Sequence, residues 1–159
     1  MDPIHVAHSQ AVALSVDDAY AATLPVELPQ IFRRWFGPIP PIKEVRDQVG
    51  PWGTPGQTRT IVLTGGASMH EELTQLDPPA SFSYRLTKIS GALGVLVDHV
   101  DGRWAFAAAG AGTQITWSWN LHPRSGRTRP GVVLLGSLWK GYARRSLDQL
   151  ARHLPATST

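Results

Sequence analysis

A chain of 159 residues, 42% of them hydrophobic, suits one domain with a real core; it holds no cysteine, which excludes disulfides, thiolate catalysis and cysteine-ligated metals. Fifteen Lys and Arg against twelve Asp and Glu leave a formal charge of +3. That excess lies in Arg124, Arg127 and Arg129 of one loop and in Arg144, Arg145 and Arg152 near the C-terminus, too thin a distribution for a nucleic-acid face.

HVAHSQAVAL, residues 5–14, alternates loosely and predicts a first strand. SVDDAYAATL predicts a short helix, capped by Ser15 or Asp17, with acidic residues at the positive end of its dipole. VELPQIFRRWF predicts a second short helical piece, broken or kinked near Pro29. GPIPPI, residues 37–42, is an extended connector. KEVRDQVG then predicts a strand, GPWGTPG (50–56) a loop, and QTRTIVLTGG a strand ended by paired glycines. SMHEELTQL predicts another strand, stopped by the prolines at 78 and 79. SFSYRLTKI alternates most cleanly, with Phe82, Tyr84 and Leu86 on one face. GALGVLVDHV is expected to run into DGRWAFAAAG, with Asp101-Gly102 marking a turn or bulge. TQITWSWNL (113–121) puts Ile115, Trp117, Trp119 and Leu121 on one face. After Pro130 the period becomes 3.6: Leu135, Leu138, Trp139, Tyr142, Ser146, Leu147, Leu150 and Leu154 trace the stripe of a helix of about 20 residues.

One long helix can bury such a stripe only against the sheet, and a twisted sheet of this length curls around it. Trp117 and Trp119 then point toward Trp139 and Tyr142. No apolar run reaches the roughly 18 residues of a membrane span. The N-terminus, MDPIHVAHSQ, has no signal-peptide pattern, so a cytoplasmic location and no integral membrane association are expected.

This layout resembles the START-like superfamily, also called SRPBCC or helix-grip proteins, which includes the birch-pollen allergen, lipid-transfer domains and aromatic polyketide cyclases. The resemblance spans residues 5–154. It is carried by the paired short helices DDAYAATL and PVELPQIF, the arm SMHEELTQLDPP, and the hairpin DHVDGRWAFAAAGAGTQITWSWNL before the last helix. It is nearest to the bacterial polyketide cyclase/dehydrase-like branch. It implies an α+β helix-grip fold over residues 1–159: a curved antiparallel sheet of about seven strands wrapped around a long C-terminal helix, with two short helices after the first strand. It also implies an apolar cavity between sheet and helix that binds a lipid or polyketide-like molecule, with no cofactor. In some members polar residues in that cavity perform aldol cyclisation or dehydration.

The expected lining is aromatic: Trp35, Phe36, Phe82 and Tyr84 from the first half, and Trp104, Phe106, Trp117, Trp119, Trp139 and Tyr142 from the second. Gly136, Gly141 and Ala143 are expected to add room, and Trp35 to gate an entrance. Should the face of SMHEELTQL that carries His70 and Glu72 be concave, the two could work as base and orienting acid, with Tyr84 donating to a substrate carbonyl. Thus Tyr84, His70 and Glu72 are the catalytic candidates, and an enzyme stands as the alternative to a binding module. No HExxH or similar spacing points to metal. The glycine pairs in TGGAS and AGAGT read as turns rather than phosphate loops, and no serine lies in a nucleophile elbow. A monomer or homodimer is expected, and the arginine-bearing loop 124–129 is a candidate contact for a protein partner.

Overall fold

In the computed structural model, which describes residues 2–154, seven strands form one antiparallel sheet in the order β1-β7-β6-β5-β4-β3-β2. They are β1 (Ile4–Val12), β2 (Ile42–Arg46), β3 (Thr58–Leu63), β4 (Ser68–Asp77), β5 (Ser81–Thr87), β6 (Val97–Ala109) and β7 (Gly112–Pro123). Helices α1 (Val16–Thr23) and α2 (Leu28–Ile31) follow β1, α3 (Gly91–Leu96) links β5 to β6, and α4 (Arg129–His153) closes the chain. The curved sheet wraps α4, as in the Bet v 1-like helix-grip fold.

Local chemistry accounts for most of these boundaries. Ser15 caps α1 by accepting from the Asp18 amide at 3.1 Å, which satisfies an otherwise orphaned donor. Pro29 sits in the first turn of α2 and starts that helix rather than breaking it, because the missing proline N–H is unneeded there. The paired glycines between β3 and β4 take φ of +102° and +98°, a left-handed pair that few other residues tolerate.

The region from 91 to 102 differs from the sequence expectation twice. GALGVL is a helix, not a strand. Asp101 and Gly102 are not a turn. They lie within the 13-residue β6, paired with Asn120 and Trp119 of β7. Gly102 is there for space: a Cβ at this position would come 2.1 Å from Cζ of Tyr84, so the Tyr84 ring lies across the bare backbone of the neighbouring strand.

The inward residues alternate along β5, β6 and β7 as the pleat requires: Phe82, Tyr84 and Leu86; Val100, Trp104 and Phe106; Ile115, Trp117, Trp119 and Leu121 are all buried. Against them α4 buries Val132, Trp139, Tyr142, Leu147 and Leu150. Its small residues serve close approach more than added room. Gly136 faces Val6, and a Cβ on Gly141 would strike the Phe36 ring at 2.2 Å.

Candidate functional site

Between α4 and the sheet lies a cavity of about 510 Å³, inside the size range of small-molecule sites. Trp104, Trp117 and Trp119 of the sheet, Trp139 and Tyr142 of α4, and Phe32 after α2 form one wall. Ile61, Leu63 and Met69 from β3 and β4, with Leu93 and Leu96 of α3, form the other. Trp35 and Leu134 also line it, yet they are 52% and 65% exposed. Lining residues that reach solvent mark the mouth, between the α2–β2 connector and the first turns of α4.

The tryptophans are packed as rings and still leave the void. Trp117 stacks on Trp104 with centroids 5.2 Å apart and meets Trp139 at 4.7 Å. Phe32 and Trp119 also meet it, at 5.2 and 5.8 Å. Such ring-on-ring contact props the helix off the sheet, because each indole is braced by another rather than collapsing inward.

Tyr84 is fixed by two of these indoles. The Nε1–H groups of Trp117 and Trp119 both donate to its hydroxyl oxygen at 2.8 Å. Two donors occupy the lone pairs of a phenol, so the Tyr84 O–H remains to donate, and the side chain lines the cavity. Burial first, then the charge of Glu71, pushes its pKa up, outweighing the indole donors and Arg59. Tyr84 is therefore a protonated donor at neutral pH, not a base.

A buried ion pair completes the polar wall. Arg59 of β3 donates from Nε to Glu71 of β4 at 2.5 Å, with side chains 6% and 5% exposed, and both line the cavity. The guanidinium also donates to Gln48 at 3.2 Å and lies 3.9 Å over the Trp52 ring. Burial raises the Glu71 pKa, and the charge and hydrogen bond of Arg59 only partly oppose it. Two further donors have no partner among the described residues although they are buried on the cavity wall: Trp139 Nε1 and the Thr23 hydroxyl.

The sequence candidates divide accordingly. Trp35, Phe82, Tyr84, Trp104, Trp117, Trp119, Trp139 and Tyr142 are on the cavity wall. Phe106 is not: it packs on Tyr20 and Phe82 at 5.4 and 6.0 Å. Phe36 is not either, being half-buried over Gly141 with the Arg145 guanidinium 5.1 Å from its ring. His70 and Glu72 sit on the outer face of β4, half-buried and exposed. The pleat turns Met69, Glu71 and Leu73 inward instead, so the pair His70–Glu72 cannot reach a molecule in the cavity. Arg59, Glu71 and Trp52 were missed, although the apolar i±2 neighbours of Glu71 carry the signal.

A curved sheet gripping one long helix around a ring-lined hollow defines a class of cavity proteins. The chain belongs to the polyketide cyclase/dehydrase and lipid transport family, whose model matches residues 3–155. Solved structures with the same fold include ginseng major latex-like protein 151 from Panax ginseng, 12% identical, TM-score 0.70, covering 98% of this chain and 99% of that one. The Mycobacterium smegmatis protein Ms6760 is 19% identical, TM-score 0.65, with 99% and 94% covered. DynU16, from the dynemicin biosynthetic locus, is 19% identical, TM-score 0.60; the likeness covers 97% of this chain and 49% of that longer one. No curated protein matches the chain.

Proposed function

We propose that the protein binds a hydrophobic small molecule, lipid or polyketide-like, in the internal cavity. The observation that carries this reading is the hollow itself: about 510 Å³ bounded by indoles and aliphatic side chains, where a packed interior has few voids larger than a water molecule. A donor on its wall narrows the ligand. Tyr84 O–H, on the same lining as the Arg59–Glu71 pair, suits a molecule whose apolar body carries oxygen acceptors, such as carbonyl or hydroxyl groups. Family membership supports the same reading.

The test is native mass spectrometry of protein purified from its own host, with the co-purifying molecule identified and re-bound to stripped protein. A stoichiometric apolar guest that quenches indole fluorescence on re-binding is expected. Protein that arrives empty and takes up neither fatty acids nor aromatic polyketides would sink the reading.

A second reading rests on Tyr84 and Glu71, which both line the cavity. A cyclase or dehydratase acting on a carbonyl substrate needs a donor at the carbonyl oxygen and a nearby proton carrier. Tyr84 supplies the first, and Glu71, with its raised pKa, the second. Tyr84→Phe separates the two. A carrier keeps most of its affinity for the guest, whereas an enzyme loses turnover while still binding.

A further inference from the structure

Behind the cavity, on the outer face of β6 and β7, three ligand-type side chains meet. His99 and His122 are register partners across the two strands, and their rings stack with centroids 3.9 Å apart. Asp101 stands two residues along β6 on the same face. Its Oδ2 is 3.0 Å from His122 Nε2 and 3.9 Å from His99 Nε2. One potential ligand atom from each residue falls within 4.8 Å of the other two. All three side chains are between a quarter and a third exposed, half-buried yet open on one side.

We propose that His99, Asp101 and His122 bind one divalent transition-metal ion of the zinc type. Imidazole nitrogen and carboxylate oxygen are its usual ligands, at about 2.0–2.2 Å. A tetrahedral ion with such bonds separates its ligand atoms by about 3.4 Å, and the observed 3.0 and 3.9 Å bracket that spacing. Closure requires one imidazole to turn out of the stack. The fourth position faces solvent.

A second, independent feature supports the site. Asp98 Oδ2 lies 2.8 Å from Nδ1 of His99. The contact places the ring proton on Nδ1 and leaves the Nε2 lone pair toward Asp101. This is the carboxylate–histidine arrangement that orients metal-binding imidazoles. Arg85 Nε donates to Oδ1 of Asp101 at 2.7 Å and its Nη2 reaches Oδ2 at 3.5 Å, while Oδ2 is the oxygen turned to the histidines. Arg85 and Arg124 balance the charges of Asp101 and Asp98. The site therefore selects by coordination, not bulk negative charge, and a hard cation such as Mg²⁺ has little to gain there. A bound ion would tie β6 to β7, the two strands whose opposite face carries Trp104, Trp117 and Trp119.

The experiment uses untagged, chelator-stripped full chain titrated calorimetrically with ZnCl₂ and with MgCl₂. One equivalent of Zn²⁺ and no Mg²⁺ are expected, with a rise in the thermal midpoint. His122→Ala should abolish binding. Asp98→Asn, which leaves all three ligands, should weaken it about 10–100-fold with unchanged stoichiometry. His8→Ala and His70→Ala should change nothing. Because His122→Ala alone could report misfolding, ring resonances of wild-type His99 and His122 are followed as well, and only these should shift with zinc. Absence of zinc binding, binding that survives His122→Ala, or shifts centred on other histidines would overturn the proposal.

Discussion

Two arginine–carboxylate pairs bridge neighbouring strands, one on each face of the sheet, and they behave in opposite ways. Arg59–Glu71 joins β3 to β4 inside, with side chains 6% and 5% exposed. Arg85–Asp101 joins β5 to β6 outside, with side chains 52% and 33% exposed. The chemistry is the same. Inside, burial outweighs the arginine and raises the Glu71 pKa. Outside, burial also pushes the Asp101 pKa up, but the hydrogen bond and charge of Arg85, with His122, more than reverse it. The balance between desolvation and the partners decides the sign, and it tips in opposite directions on the two faces. The inner carboxyl therefore favours its proton more than a free one does, whereas the outer one favours the anion.

The largest expected effects break the inner side. Arg59→Met leaves Glu71 buried without a counter-charge and should cost about 3–5 kcal/mol in denaturant unfolding at neutral pH. Trp117→Ala, which removes a ring touching Phe32, Trp104, Trp119, Trp139 and Tyr142, should also cost about 3–5 kcal/mol. A loss well below 2 kcal/mol with abolished guest binding would instead make it a liner free of packing duty. Because the Glu71 pKa is raised above its ordinary 4.5, the folded state holds that proton more tightly than the unfolded one. The stability linked to it is full below 4.5 and lost as pH rises through the folded value. Glu71→Gln should remove that decline, which pH-dependent urea melts measure.

The intermediate effect concerns a residue that the sequence left ambiguous. Gly102→Ala would push a methyl into the Tyr84 ring and should cost about 1–3 kcal/mol by overpacking. Tyr84→Leu in the same chain should recover part of the loss, a coupling that a double-mutant cycle reads. Asp101-Gly102 looks like a hairpin turn because local turn chemistry favours that pair. Nothing local reveals a tyrosine lying across it from β5.

Other features were legible for reasons that are equally physical. The alternation in SFSYRLTKI and TQITWSWNL and the helical period after Pro130 are consequences of one buried face, and burial is what patterns report. The fold and most of the aromatic wall follow from them. GALGVL failed because a short apolar run has no period to separate helix from strand. His70 and Glu72 are the chemically suggestive pair in the sequence, while their apolar-flanked neighbour Glu71 is the one facing inward. Arg59–Glu71 and His99–His122 depend on strand register, which no single stretch of sequence displays.

The smallest effects lie on the outer side, and they sharpen the contrast most. Arg85→Met removes a half-exposed partner of Asp101 and should cost less than about 1 kcal/mol. Its pH signature should nevertheless be opposite in sign to that of Glu71. The Asp101 pKa lies below its ordinary 3.8, so the linked stability is present above 3.8 and lost as pH falls through the folded value. In chelator-treated protein, Arg85→Met should move the Asp101 carboxyl resonance to a higher midpoint and shrink that acid loss. Should Glu71 and Asp101 instead titrate in the same direction, measured side by side by carboxyl NMR, then burial would not be what separates the two faces of this sheet.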